Sequence, residues 1–220
     1  MLNVSSISSM LKCKSLSDQL PSAILNRSVE LLARNGTCDA RPNLSLWVLT
    51  SMSIAQTIQK RVSEHELYAL AILPKGAERL RKMFITADLH QAISNPQPHE
   101  VAMFARLESD LAVFVTSPSI DMGYLKLLKP LRNAVWEIKS PRPSPGLRVL
   151  GLFADRNVFI AMQHYRRVDL GKFGSREWRN AIELARASWR KLFPTGEQPR
   201  FETDATQLVK GAISGQYFQN

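Results

Sequence analysis

The chain has 220 residues, 45% of them apolar and 22% charged, with 29 Lys and Arg against 19 Asp and Glu for a net charge of +10. This make-up excludes a disordered or fibrous chain and holds no run long enough for a membrane-spanning helix; it fits one ordinary domain, or a smaller domain with an appended segment. Cys13 and Cys38 form no C-x-x-C pair and the first twenty residues hold no apolar signal stretch, so a cytoplasmic protein without metal or cofactor is expected, and the charge excess points to a polyanionic partner and not to a membrane.

Residues 1 to 82 are rich in Ser and Asn. They contain a helical pattern over "PSAILNRSVELLARNG", where Ile24, Leu25, Val29, Leu31 and Leu32 line a stripe and Gly36 caps it, and a second helical stretch from Leu46 to Leu73. Neither stretch carries a chemical motif. Met83, followed by "FITADLHQAISNP", has the look of a domain start, so the reading is an extension over 1–82, helical or partly disordered, a compact domain over 83–197 and a tail over 198–220.

Within that domain Val101, Phe104, Leu107, Leu111 and Phe114 fall at helical spacing and predict one helix of about four turns that ends before Pro118. "IDMGYLKLLKPL" reads as a short helix or turn closed by Pro130. "NAVWEIK" alternates as a half-buried strand does, "SPRPSPG" is a loop, and "LRVLGLF" and "NVFIAMQHY" are two further strands joined by "ADRN", a connection of hairpin length. "SREWRNAIELARASWRKLFP" predicts a helix capped by Ser175, striped by Trp178, Ile182, Ala185 and Trp189, and stopped by Pro194. The fold class expected is α+β, a small antiparallel meander packed against N- and C-terminal helices, with one sheet face covered and the other left for a ligand. Trp136, Trp178 and Trp189 are read as core.

Charge is concentrated between Lys126 and Lys172, where ten Lys and Arg face three acids. No phosphate-binding glycine loop, nucleophile elbow or H-E-x-x-H string occurs, which argues against nucleotide hydrolysis, serine hydrolysis and zinc peptidase chemistry. The strings "LKPLRNAVWEIKS" and "PGLRVLGLFADRNVFIAM", in that order and followed by the paired cations Arg166 and Arg167, resemble the RelE/HigB superfamily of type II toxins, small ribonucleases that cut messenger RNA in the ribosomal A site; the resemblance spans about His99 to Pro194. It implies a RelE/ParE-like fold, a metal-independent endoribonuclease, the ribosome and messenger RNA as partners, and a cognate antitoxin whose acidic or helical segment covers the basic face. The family often carries H-x-F-x-K-K after the last strand; here Met162 stands in place of that His, His164 in place of the aromatic, and the closing cations are Arg.

Cleavage by internal transfer needs a base for the 2′-hydroxyl, an acid for the leaving 5′ oxygen and cations for the phosphate. Arg148 is the expected phosphate clamp, His164 the expected proton carrier, and Tyr165 and Lys139 the alternative bases, on the expectation that the meander brings all four to one face or edge. Arg132, Arg142, Arg166, Arg167 and Lys172 are expected to meet the nucleic-acid backbone. Two other readings fit the same residues: a gyrase inhibitor of the same fold that cuts nothing, and a basic nucleic-acid-binding accessory protein.

Overall fold

A computed structural model describes residues 53–71, 76–121 and 123–213. The helix expected over 21–36 and both cysteines lie outside the described residues. Nine longer elements follow in chain order: α1 (Ile54–Ser63), β1 (Leu67–Ala69), β2 (Lys82–Thr86), α2 (Ala87–Ser94), α3 (Val101–Thr116), β3 (Leu125–Leu127), β4 (Trp136–Ser140), β5 (Leu147–Asp155) and β6 (Val158–Arg166). Then come α4 (Arg176–Leu192) and the single turn α5 (Ala205–Leu208), with 3-10 turns at Leu131–Asn133 and Arg167–Leu170.

The strands form one sheet in the order β1-β2-β6-β5-β4-β3. β2 runs parallel to β6 and every other pairing is antiparallel. The sheet is therefore six-stranded and mixed, larger than the small antiparallel sheet expected. Two local readings change with it. The stretch from Leu46 to Leu73 is not one helix: α1 ends at Ser63, His65 adopts a left-handed φ of 58°, and Leu67 and Tyr68 then pack into opposite cores, which adjacent residues do only when extended. Likewise "YLKL" is strand β3 and not helix or turn, because Leu125 and Leu127 bury on one face with Lys126 between them on the other.

Both faces of the sheet are covered. On one lie α2, α3 and α5, around Leu107, Leu111, Phe114, Trp136, Phe153 and Phe159; on the other lie α1 and α4, around Leu150, Leu152, Ile160, Trp178, Ile182 and Trp189. The run Val149 to Ala154 is buried at every position, the mark of a strand packed on two sides, so no whole face remains for a ligand. Helix α4 keeps its expected form, with the Ser175 side chain accepting from the Trp178 N–H at 3.4 Å and the four stripe residues buried.

Described residues on either side of 83–197, from α1 and from 198–213, belong to the same folded unit. Met83 lies inside β2 and is 2% exposed. From α1, Arg61 Nε donates to the Leu192 carbonyl at 2.8 Å and Thr57 Oγ1 to Glu197 Oε1 at 2.7 Å. From the C-terminal side, Ala205, Leu208 and Val209 are buried in the α3 core. The expected boundaries at 82/83 and 197/198 thus cut through continuous packing.

Two sites constrain the chain most. Along β5 and β6, Leu150 pairs with Gln163 but Gly151 with Ala161, leaving Met162 as the extra residue of a bulge. A Cβ on Gly151 would sit 2.2 Å from the Ile160 carbonyl oxygen and 2.5 Å from the Phe159 ring, so only glycine permits the close approach. Arg81, 2% exposed, donates from Nη1 to the carbonyls of Phe114 at 2.7 Å and Ser117 at 2.8 Å, and from Nε to that of Lys210 at 3.1 Å. It thereby occupies carbonyls that the end of α3 leaves without helical partners.

Arg81→Met leaves those buried acceptors unpaired and is expected to cost at least about 3 kcal/mol in urea unfolding, with Arg81→Lys recovering only part. Gly151→Ala is expected to cost about 1–3 kcal/mol in the same measurement through overpacking.

Candidate functional site

Residues directly opposed across a sheet share a face. Lys126 opposes Glu137, Lys139 opposes Arg148, and Arg148 opposes Tyr165, so these five side chains lie on the α4 side of the sheet. They occupy the end of that face that α4 leaves uncovered, where Lys126, Lys139, Arg148 and Tyr165 are each half-buried. Glu137 is 3% exposed and lies at the centre, its Oε1 2.8 Å from Arg148 Nε. Arg148 Nη1 also donates to the Leu147 carbonyl at 2.8 Å, which fixes the guanidinium plane. Arg167, tied through Nη1 to the Gly171 carbonyl at 2.6 Å, acts electrostatically on both Glu137 and Arg148.

Four cations act electrostatically on this one acid, Lys126, Lys139, Arg148 and Arg167, with Arg148 in direct ion-pair contact. Burial pushes the Glu137 carboxyl up against the pull of all four. Burial lowers Lys139 from the ordinary lysine range, with Glu137 opposing, and lowers Arg148 in the same way. Tyr165 is pushed up to about 12 by burial, and its hydroxyl donates to Gln163 Oε1. Phe173, 47% exposed, rims the group; Lys126 Nζ lies 4.7 Å over its ring and Trp178 5.5 Å from it. The arrangement presents positive charge, a lysine biased toward its neutral form and a tyrosine held protonated.

Comparison with family models, with curated proteins and with solved structures finds no match to this chain. The site is therefore described from its own chemistry. Among the described residues no three His, Cys, Asp or Glu side chains converge as a metal set, and no helix is long and apolar enough to cross a membrane.

The structure brings Lys139, Arg148 and Tyr165 together and separates His164 from them. His164 opposes Val149, whose side chain lies in the α3 core, so it points to the other side of the sheet. There it meets Phe104 edge-on, 5.2 Å between centroids at 75°, and lines a cavity of about 320 Å³ with Asp88, Gln91 and Glu100. Burial lowers its pKa, and Glu100 and Asp88 oppose that shift. The expectation of a single face holding all four residues fails because His164 and Tyr165 are neighbours in one strand and point to opposite faces; the bulge at Met162 decides that Tyr165 is the one beside Arg148.

The expected backbone-binding cations also divide. Arg142, on the loop between β4 and β5, and Lys172, beside Phe173, sit at the cationic end and are exposed. Arg166 opposes Leu147 and is directed to the His164 side, so it and Arg167 do not act as a pair. Arg132 lies in the 3-10 turn between β3 and β4, at the opposite end of the strands. Sequence reasoning passed over Glu137 and Lys126, whose signal was the alternation of Lys, Glu and Lys along two neighbouring strands, and Phe173, an aromatic next to Lys172 outside any apolar stripe.

His164 is the deciding control for this geometry. Its folded pKa is lowered, so the unfolded chain binds the proton more readily, and stability present above the ordinary histidine range is lost as pH falls through it. His164→Gln is expected to flatten the fall in stability between about pH 7.5 and 5.5 in denaturant titrations while leaving polyanion binding unchanged.

Proposed function

We propose that the protein is the toxin of a type II toxin–antitoxin pair, a metal-independent endoribonuclease that cuts messenger RNA at the ribosome. One observation carries this reading: Lys126, Lys139, Arg148 and Arg167 gather around a single buried carboxylate at an open sheet end, with Tyr165 beside them. Four cations that share one acid keep a net positive field for a phosphodiester, and the field is preorganised because Glu137 and two backbone carbonyls hold the two guanidinium groups.

In this reading Arg148 clamps the scissile phosphate through two oxygens. Lys139, lowered by burial, accepts the proton of the 2′-hydroxyl as its oxygen attacks phosphorus. The bond from phosphorus to the 5′ oxygen breaks, and Tyr165, still protonated at neutral pH, supplies the proton to the departing oxygen. The products are a 2′,3′-cyclic phosphate and a 5′-hydroxyl end. His164 has no part in these steps. An antitoxin segment rich in acids would compete with RNA for the same four cations.

The full chain, induced from a tightly repressed promoter, is expected to arrest growth and to create new 5′-hydroxyl ends inside translated frames. Arg148→Ala is expected to lower cleavage about 100-fold or more. The wild-type rate rises with pH toward the lowered Lys139 titration, and Lys139→Arg removes that limb. In binding titrations against single-stranded RNA, each cation removed is expected to reduce the salt slope by about 0.7. Arrest with intact messages and altered DNA supercoiling would replace this reading with that of a gyrase inhibitor, and salt-steep binding with neither effect would replace it with that of a binding protein.

A further inference from the structure

About 10 Å of strand separates the cationic end from a second basic feature, since Trp136, three residues before Lys139, already lies at the other end of β4. Here the 3-10 turn Leu131–Asn133, the last turns of α4 and residues 193–199 enclose a cleft of about 380 Å³, within the size range of small-molecule sites. We infer that this cleft binds a small organic phosphate with a flat ring body, the chemistry of a nucleoside monophosphate.

Three features support the assignment. Arg132 and Arg190 reach the cleft from different elements, and among the described residues neither has an acid within ion-pair distance. Arg186 adds a third guanidinium, shared with Glu183 at 3.3 Å. The acid in the lining, Glu197, already accepts from Thr57 at 2.7 Å and Thr195 at 2.5 Å, so its oxygens are engaged away from an incoming anion. Planar guanidinium groups on two sides suit the oxygens of a phosphate.

The remainder of the lining is not that of a bare anion site. Leu152, Pro194 and Pro199 provide apolar wall, over a floor where Trp189 and Phe193 stack at 4.2 Å between centroids and Trp189 is fixed by its Nε1–H to the Glu197 carbonyl at 2.7 Å. Asn133, 5% exposed, also lines the cleft, and its Nδ2 makes one long contact of 3.4 Å to Glu183. A side-chain amide beside an apolar wall matches a ring whose edge carries hydrogen-bonding groups. The same chemistry belongs to a free mononucleotide and to the terminal nucleotide of an RNA strand.

Calorimetric titration of the full chain with adenosine and cytidine monophosphates, inorganic phosphate and a 5′-phosphorylated tetranucleotide tests this directly. Saturable binding of a monophosphate, weakened at least about tenfold by Arg190→Ala and by Arg132→Ala but not by Arg148→Ala, supports the assignment. Binding of the tetranucleotide alone with the same sensitivities also supports it and identifies the source as a strand end. Inorganic phosphate binding as tightly as the monophosphates, indifference to both arginine variants, or no saturation by any nucleotide overturns it. Both arginines are exposed, and unchanged thermal unfolding of the variants confirms that the fold is kept. Failure here leaves the RNA-cleaving reading standing, because that reading depends on Arg148 and Lys139 and not on this cleft.

Discussion

The guanidinium of Arg81 joins three segments that sequence order keeps far apart. Its donors satisfy carbonyls at the end of α3 and in the turn before the last residues described, while its own backbone N–H bonds the Val115 carbonyl at 3.1 Å and the next residue begins β2. β2 in turn pairs parallel with β6, and β6 carries Tyr165. Among the described residues no carboxylate pairs with it; the negative end of α3 and the carbonyls it binds balance the charge. A buried cation held by carbonyls is stable only while every one of them stays in place, which makes the edge of the sheet, the end of α3 and the C-terminal turn cooperative.

The same rule of charges held by fixed partners governs the cationic end. Glu137 costs desolvation energy, which the shifts of both Glu137 and Arg148 record, and its return is orientation and not stability. Without it Arg148 would be a mobile surface arginine among three like charges. The acid buried at the centre converts a repulsive group of side chains into a surface with defined geometry at the end of the sheet beyond α4.

Much of this was legible in the sequence. α3, α4 and the strands β4 to β6 follow from apolar spacing because each buries a clean stripe or alternation, and Trp136, Trp178 and Trp189 are core as their neighbours indicate. Three things were not legible. β1 is only three residues long, and β2 is too short and too fully buried to alternate. β3 shares its apolar pattern with a helical turn, and only the partner strand decides between them. The basic residues read as one group because they are close in sequence, but the span of β4 from Trp136 to Lys139 lies between them and places Arg132 at one end of the sheet and Arg148 at the other.

The bulge at Met162 has a consequence for how this site changes over time. Because two successive residues, Met162 and Gln163, face α4, every position after them has the parity opposite to that of a regular strand. Loss of Met162 would remove the bulge and restore regular alternation while leaving Tyr165 opposite Arg148 and His164 opposite Val149. The extra residue is thus spare with respect to the site: one codon can be lost at Met162 with the tyrosine and the histidine each keeping its face.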